Sequence, residues 1–268
     1  KISSQFWVAT TFLTLGSGKG TGAIVPADKA SQYLERAAEV YAKLLEKTAD
    51  PEVARFEPSI RLRMASIYQE LRQWDEAQKQ IDWILADSKR QNSLDTQIQA
   101  AELLQLAADA AAKNNDAAKA ETLYREAASG RRGGPAKIWG WGEIANKLQR
   151  QGLSGEDEKS RQARAAFFNA RYQVIECLLA RARLPGKDAE KQKRLTTAET
   201  VIAITFKTFP TLGGPDMFAK FDRVAKQVQQ ELGVANPAGL GAFQAPAAGN
   251  PPPAIQQGAA QQPQGGTN

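Results

Sequence analysis

Gly16-Ser17-Gly18-Lys19-Gly20-Thr21 has the clearest chemical spelling in this chain. Glycines that leave backbone N–H groups open, followed by a lysine, can cradle phosphates, with the ammonium reaching the terminal one. Other groups that do chemistry are sparse. The chain has no histidine, which removes the commonest general base and metal ligand and with them any Ser-His-Asp or Cys-His site. Cys177 is the single cysteine. In the apolar run VIECLL it reads as a buried, inert thiol. One cysteine makes neither an internal disulfide nor a cysteine-based zinc site. Glu156-Asp157-Glu158 falls in a polar loop with no base beside it, so a solvated run is expected rather than an acid–base pair.

The glycine-rich stretch resembles the phosphate loop of adenylate-kinase-type enzymes, but its surroundings argue against that use. The pattern G-x-x-x-x-G-K-[ST] needs a glycine where Leu13 stands, and Gly20 follows Lys19. Such a loop opens directly into a helix whose N-terminus binds the phosphate. Here Pro26 interrupts, and a new helix is expected near Asp28, read as its N-cap. The enzyme fold would also need parallel strands, and no alternating strand pattern is present. Residues 16–22 therefore read as a long flexible turn between two helices. No cofactor, metal or catalytic residue is expected. A nucleotide-binding enzyme using Lys19 is the lesser alternative.

Helical periodicity fills the rest of the chain to Leu232. Tyr33, Leu34, Ala37, Ala38, Tyr41, Leu44 and Leu45 make one apolar stripe at 3–4 residue spacing, as do Met217, Phe218, Phe221, Val224, Ala225, Val228 and Leu232. The spacing predicts about ten helices, at 3–15, 27–48, 56–72, 74–87, 94–113, 116–129, 136–151, 158–184, 187–208 and 215–232. Short connections make successive helices antiparallel. The fold class expected is all-α, a right-handed solenoid of antiparallel helix hairpins. From Gly233 to Asn268 there is no charged residue, and the segment is built of Ala, Pro, Gly and Gln. It offers too little apolar surface to offset chain entropy, so the expected organisation is a helical domain over 1–232 and a disordered tail over 233–268.

Two helix pairs repeat a pattern. Met64-Ala65, Tyr68, Trp74, Ala77, Ile81 and Ile84 align with Leu104, Ala107-Ala108, Ala111, Ala120, Tyr124 and Ala127, and nine residues separate Tyr68 from Ala77 and Ala111 from Ala120. This resembles the tetratricopeptide repeat of bacterial proteins, in which small residues let two helices approach and large ones fill the space between stacked hairpins. A third pair fits with an insertion: Trp141, Ile144, Ala145 and Leu148, then Ala163, Phe167 and Ala170. Phe6, Ala9 and Phe12 with Ala37, Tyr41 and Leu44 make a stretched first pair, and the last two helices match poorly. Because the chain begins at Lys1 rather than Met, the expectation is the C-terminal piece of a longer repeat protein.

The resemblance implies a non-enzymatic scaffold holding a peptide or helical protein partner on a concave face lined by the first helix of each pair. The inner positions would be Ser59, Gln69 and Glu70, then Glu102, Gln105, Asp109 and Lys113, then Trp139, Asn146, Gln149 and Arg150. Trp139 lies two residues from Trp141, so the two cannot face the same way on a helix. It is either an anchor for a partner or packed on the neighbouring hairpin. The family's carboxylate clamp of Lys, Asn and Arg is not expected, because Leu62, Ser66, Gln105 and Asp109 stand at comparable places. The net charge of +6 is spread over most helices, so a basic nucleic-acid binder is a further and lesser alternative. No apolar run reaches membrane-spanning length. A soluble domain is expected, its compartment left open between cytoplasm and cell envelope.

Overall fold

The computed structural model describes residues 2–18, 25–151, 153–186 and 188–244. Among them ten α-helices follow in chain order: α1 (Ile2–Ser17), α2 (Ala27–Leu45), α3 (Pro51–Glu70), α4 (Trp74–Ala86), α5 (Leu94–Lys113), α6 (Ala117–Ser129), α7 (Trp141–Arg150), α8 (Glu158–Arg183), α9 (Asp188–Thr208) and α10 (Pro215–Glu231). The helices pack mainly on their chain neighbours, α1 on α2, α3 on α4, α5 on α6, α7 on α8 and α8 on α9, with further contacts of α1 with α3, α5 with α7 and α6 with α8.

Local chemistry sets the boundaries. Asp50 caps α3 by accepting from the Glu52 N–H at 2.9 Å, with Pro51 at the first helical position. The helix therefore starts before residue 56 and carries Pro58 in its interior. Asp116 caps α6 through the Lys119 N–H at 3.0 Å. Asp157 caps α8, accepting from the Ser160 N–H at 3.0 Å and its hydroxyl at 2.6 Å. These two bonds hold the Asp157 carboxyl below the usual carboxylate range. The acidic run 156–158 is thus a helix start and not loop alone. Helix α2 begins at Ala27 after Pro26, so Asp28 lies in its first turn rather than at its cap.

The repeated small and large positions form the core. Met64, Ala65, Ala77, Ile81, Ile84, Leu104, Ala108, Ala120, Tyr124, Ala127, Trp141, Ile144, Ala145, Leu148, Phe167 and Ala170 are all buried, while Tyr68 and Trp74 are half-buried. Cys177 is fully buried, and desolvation with Asp109 nearby pushes its thiol pKa up, away from the reactive thiolate.

Two expectations change. Gly16 and Ser17 belong to α1, and a Cβ on Gly16 would lie 2.6 Å from Leu34 Cγ and 2.9 Å from the Ala30 carbonyl oxygen. The first glycine of the phosphate-loop spelling is therefore where α1 and α2 touch. Lys19 and the rest of that spelling lie outside the described residues. The second change is at the other end. Residues 233–244, assigned to the tail from composition, belong to the folded body. A 3₁₀ turn, Gly239–Phe243, packs on α9 and α10. The buried Gln229 amide donates to the Gly239 carbonyl at 2.9 Å and accepts the Gly239 N–H at 2.8 Å. Leu240 is buried, and its N–H donates to Asp222 Oδ1 at 3.0 Å. One leucine and two side-chain hydrogen-bond partners anchor the turn, a signal that composition averages away. Leu240→Ala is expected to lower the unfolding free energy by about 2–3 kcal/mol, read as a shift in the urea midpoint at unchanged slope. Residues 245–268 lie outside the described residues.

Candidate binding groove

Helix α5 supplies the floor. Asp95, Ile98, Glu102, Gln105, Leu106, Asp109 and Lys113 follow at 3–4 residue spacing along one face. Three recesses run along that face. The first, about 210 Å³, lies between α3 and α5 and is lined by Gln69, Glu70, Asp95, Ile98 and Glu102 among others. The second, about 170 Å³, is lined by Ile98, Glu102, Gln105, Leu106, Asp109, Trp141, Asn169 and Gln173. The third, about 440 Å³, lies among Arg72, Trp74, Leu106, Asp109 and Lys113. Ile98 and Glu102 are shared by the first pair, Leu106 and Asp109 by the second pair. The recesses therefore adjoin one another in a row along one face of α5, together the α5 groove.

The walls are fixed by hydrogen bonds. Gln99 Nε2 donates to Ser66 Oγ at 2.7 Å and to the Leu62 carbonyl at 3.3 Å, tying α5 to α3. Trp141 Nε1 donates to Gln105 Oε1 at 2.8 Å, and Gln105 Nε2 donates to Gln173 Oε1 at 2.8 Å, joining α7, α5 and α8. The Tyr124 hydroxyl donates to Asp109 Oδ1 at 2.5 Å. Burial and that carboxylate push the Tyr124 pKa well up, so at neutral pH the phenol stays a donor. Gln105 and Asp109 thus spend bonding capacity on holding the groove in shape.

No family model, curated protein or solved structure matches this chain. The tetratricopeptide likeness rests on its residues alone.

Of the expected inner-face residues, Gln69, Glu70, Glu102, Gln105, Asp109 and Lys113 come together in the groove. Ser59 is exposed on α3 and lines none of the three recesses, and Asn146 and Arg150 are exposed on α7 away from them. Gln149 lines a different cleft, between α8 and α9. Trp139 is a packing residue: it is 5% exposed, with the Lys147 ammonium 4.1 Å above its ring centroid. The reason is that α7 starts at Trp141 and not at 136. Residues 130–140 run as an extended loop, closed by mutual backbone hydrogen bonds of 3.0 Å between Arg131 and Ile138. The ten-residue α7 leaves the far wall to Asn169 and Gln173 of α8, a helix that the repeat pattern puts on the outer layer. Sequence reasoning missed Asp95, Ile98 and Leu106 too, although continuing the α5 stripe would have found them.

The groove carries four carboxylates, Glu70, Asp95, Glu102 and Asp109, against the cations Arg72 and Lys113 at one end, within a chain of net charge +6. Among the described residues no group of three or more His, Cys, Asp or Glu side chains could hold a metal ion, and no helix is long and apolar enough to cross a membrane.

Proposed function

We propose that this chain is a non-enzymatic interaction scaffold that holds an extended peptide or helix of a protein partner in the α5 groove. The carrying observation is the alignment of three adjoining recesses along a single 20-residue helix, which gathers scattered polar positions on one face. A helix of that length spans about 30 Å, enough to seat eight to ten extended residues at roughly 3.3 Å each. The repeat pattern and the neighbour-on-neighbour packing support a right-handed solenoid of antiparallel tetratricopeptide-type hairpins as the frame. The uneven charge supports a partner with basic side chains over the α3 end and acidic ones over Lys113.

A random peptide library selected on the full chain tests this. Leu106 lines two adjacent recesses, so Leu106→Arg is expected to weaken the selected peptides at least about tenfold, at an unchanged melting temperature. Thr122→Arg on the exposed face of α6 should leave them bound. Equal binding to both variants would place the partner elsewhere and sink the assignment.

A further inference from the structure

A further recess lies outside the groove. It is a cleft of about 740 Å³ between the α7–α8 connection, α8, the end of α9 and the turn before α10. That volume is in the range of small-molecule sites. Its floor is aromatic. Phe168 and Phe209 meet edge to face, ring centroids 5.6 Å apart and planes at 87°, and Phe167 completes the trio from behind at 5.1 Å and 5.3 Å. The turn before α10 packs directly on one side of that floor, and Phe168 is buried. Gly213 has φ +80°, and a Cβ there would lie 2.5 Å from Phe168 Cδ2.

The lining carries one cation, Arg164, and no carboxylate. Nη1 of Arg164 donates to the carbonyls of Leu153 and Gly155, at 2.8 and 2.7 Å. Those two bonds orient the guanidinium; among the described residues its charge faces no anion and its Nε and Nη2 donors are not engaged. A guanidinium fork held in this way is preorganised for a carboxylate. Gln149, Ser154 and Thr211 add neutral donors around the rim.

We propose that this cleft binds a small arylalkanoic acid: a free carboxylate on the Arg164 fork and a flat apolar body against the half-buried Phe209, beside the edge of Phe168 that lines the cleft. The site is separate from the α5 groove, and neither assignment depends on the other. The test titrates the full chain with 3-phenylpropionate and, in parallel, with its neutral amide, following backbone amide resonances. The acid should give saturating shifts at Thr208, Phe209 and Thr211, and the amide should bind at least about tenfold more weakly. Because that comparison is made on the unaltered protein, it stands even if Arg164→Gln loosens the 153–155 loop. Arg164→Gln should bring the acid down to the amide's affinity, and Arg164→Lys should restore part of the difference. Equal affinity of acid and amide, saturating shifts confined to other residues, no saturation, or wild-type binding of the acid by Arg164→Gln each overturn the proposal. Acetyl-Gly-Gly-Phe with a free terminus is the remaining arm. Binding tighter than the free acid would overturn the small-acid assignment in favour of a chain terminus.

Discussion

Gly140→Ala is expected to lower the unfolding free energy by about 3 kcal/mol or more. Gly140 sits at the N-cap of α7 with φ −80° and ψ 171°, a backbone conformation open to any residue. The penalty is therefore one of space. A Cβ at this position would overlap the Gly130 backbone nitrogen and lie 2.6 Å from both Ala128 C and Ser129 N. All three are backbone atoms at the end of α6, so no side chain can turn away to make room. Gly130 itself has φ +92°, and a Cβ there would lie 2.8 Å from the Ile138 carbonyl oxygen. The two glycines pinch the loop closed from both ends. Gly142→Ala is the matched control. Its Cβ would meet only the Ala128 carbonyl oxygen, at 3.3 Å, and alanine gains up to about 1 kcal/mol of helix propensity. Urea unfolding followed by circular dichroism separates them: a large drop for residue 140, and a change within about 1 kcal/mol for residue 142. A Gly140→Ala protein as stable as wild type would show that the α6–α7 approach is not load-limited by this contact.

The helical frame was legible from apolar stripes bounded by turn residues. Helix α5 matches its expected span of 94–113, and α4, α6, α8, α9 and α10 agree to within a residue at each end. Each combines an apolar stripe with turn residues beside it, and the two signals agree. Where they conflict, sequence reading failed. In α3, expected from 56, the Asp50 cap and Pro51 start the helix five residues earlier, and it runs through Pro58. In 136–151 the tryptophans read as helical, yet Trp139 belongs to a loop whose shape is set by Gly130, Gly140 and Gln97, 42 positions before it. The groove was half legible for the same reason. Its α3 and α5 residues follow helical spacing, whereas its α8 wall depends on how far the 130–140 loop shortens α7. Gly16 shows a different error. On sequence it reads as part of a flexible turn, yet it belongs to α1, where the contact with Leu34 and Ala30 of α2 supplies the reason for the glycine.

Gln97→Leu is expected to loosen that loop and lower stability by about 3 kcal/mol. On sequence alone Gln97 is one more polar residue on α5. In the fold it is fully buried and uses every part of its amide. Oε1 accepts the buried Trp139 N–H at 2.7 Å, and Nε2 donates to the carbonyls of Gln91 at 2.7 Å and Lys137 at 3.1 Å. Leucine of similar size removes all three bonds, and an unpaired buried backbone group costs about 1–3 kcal/mol. Gln97→Glu should be at least as damaging, since it keeps the acceptor but loses both donors and buries a charge. Global unfolding alone would not separate a loop effect from a core defect. Hydrogen exchange does. The Trp139 and Arg131 amides should lose protection in Gln97→Leu, while amides in the middle of α10 keep theirs. The consequence reaches the groove, because Trp139 and Trp141 share the loop's end and Trp141 orients Gln105. If Trp139 keeps its protection in Gln97→Leu, the loop is held without Gln97, by the glycine pinch and the Arg131–Ile138 bonds. The groove should then retain its peptide affinity in that variant and lose it in Gly140→Ala.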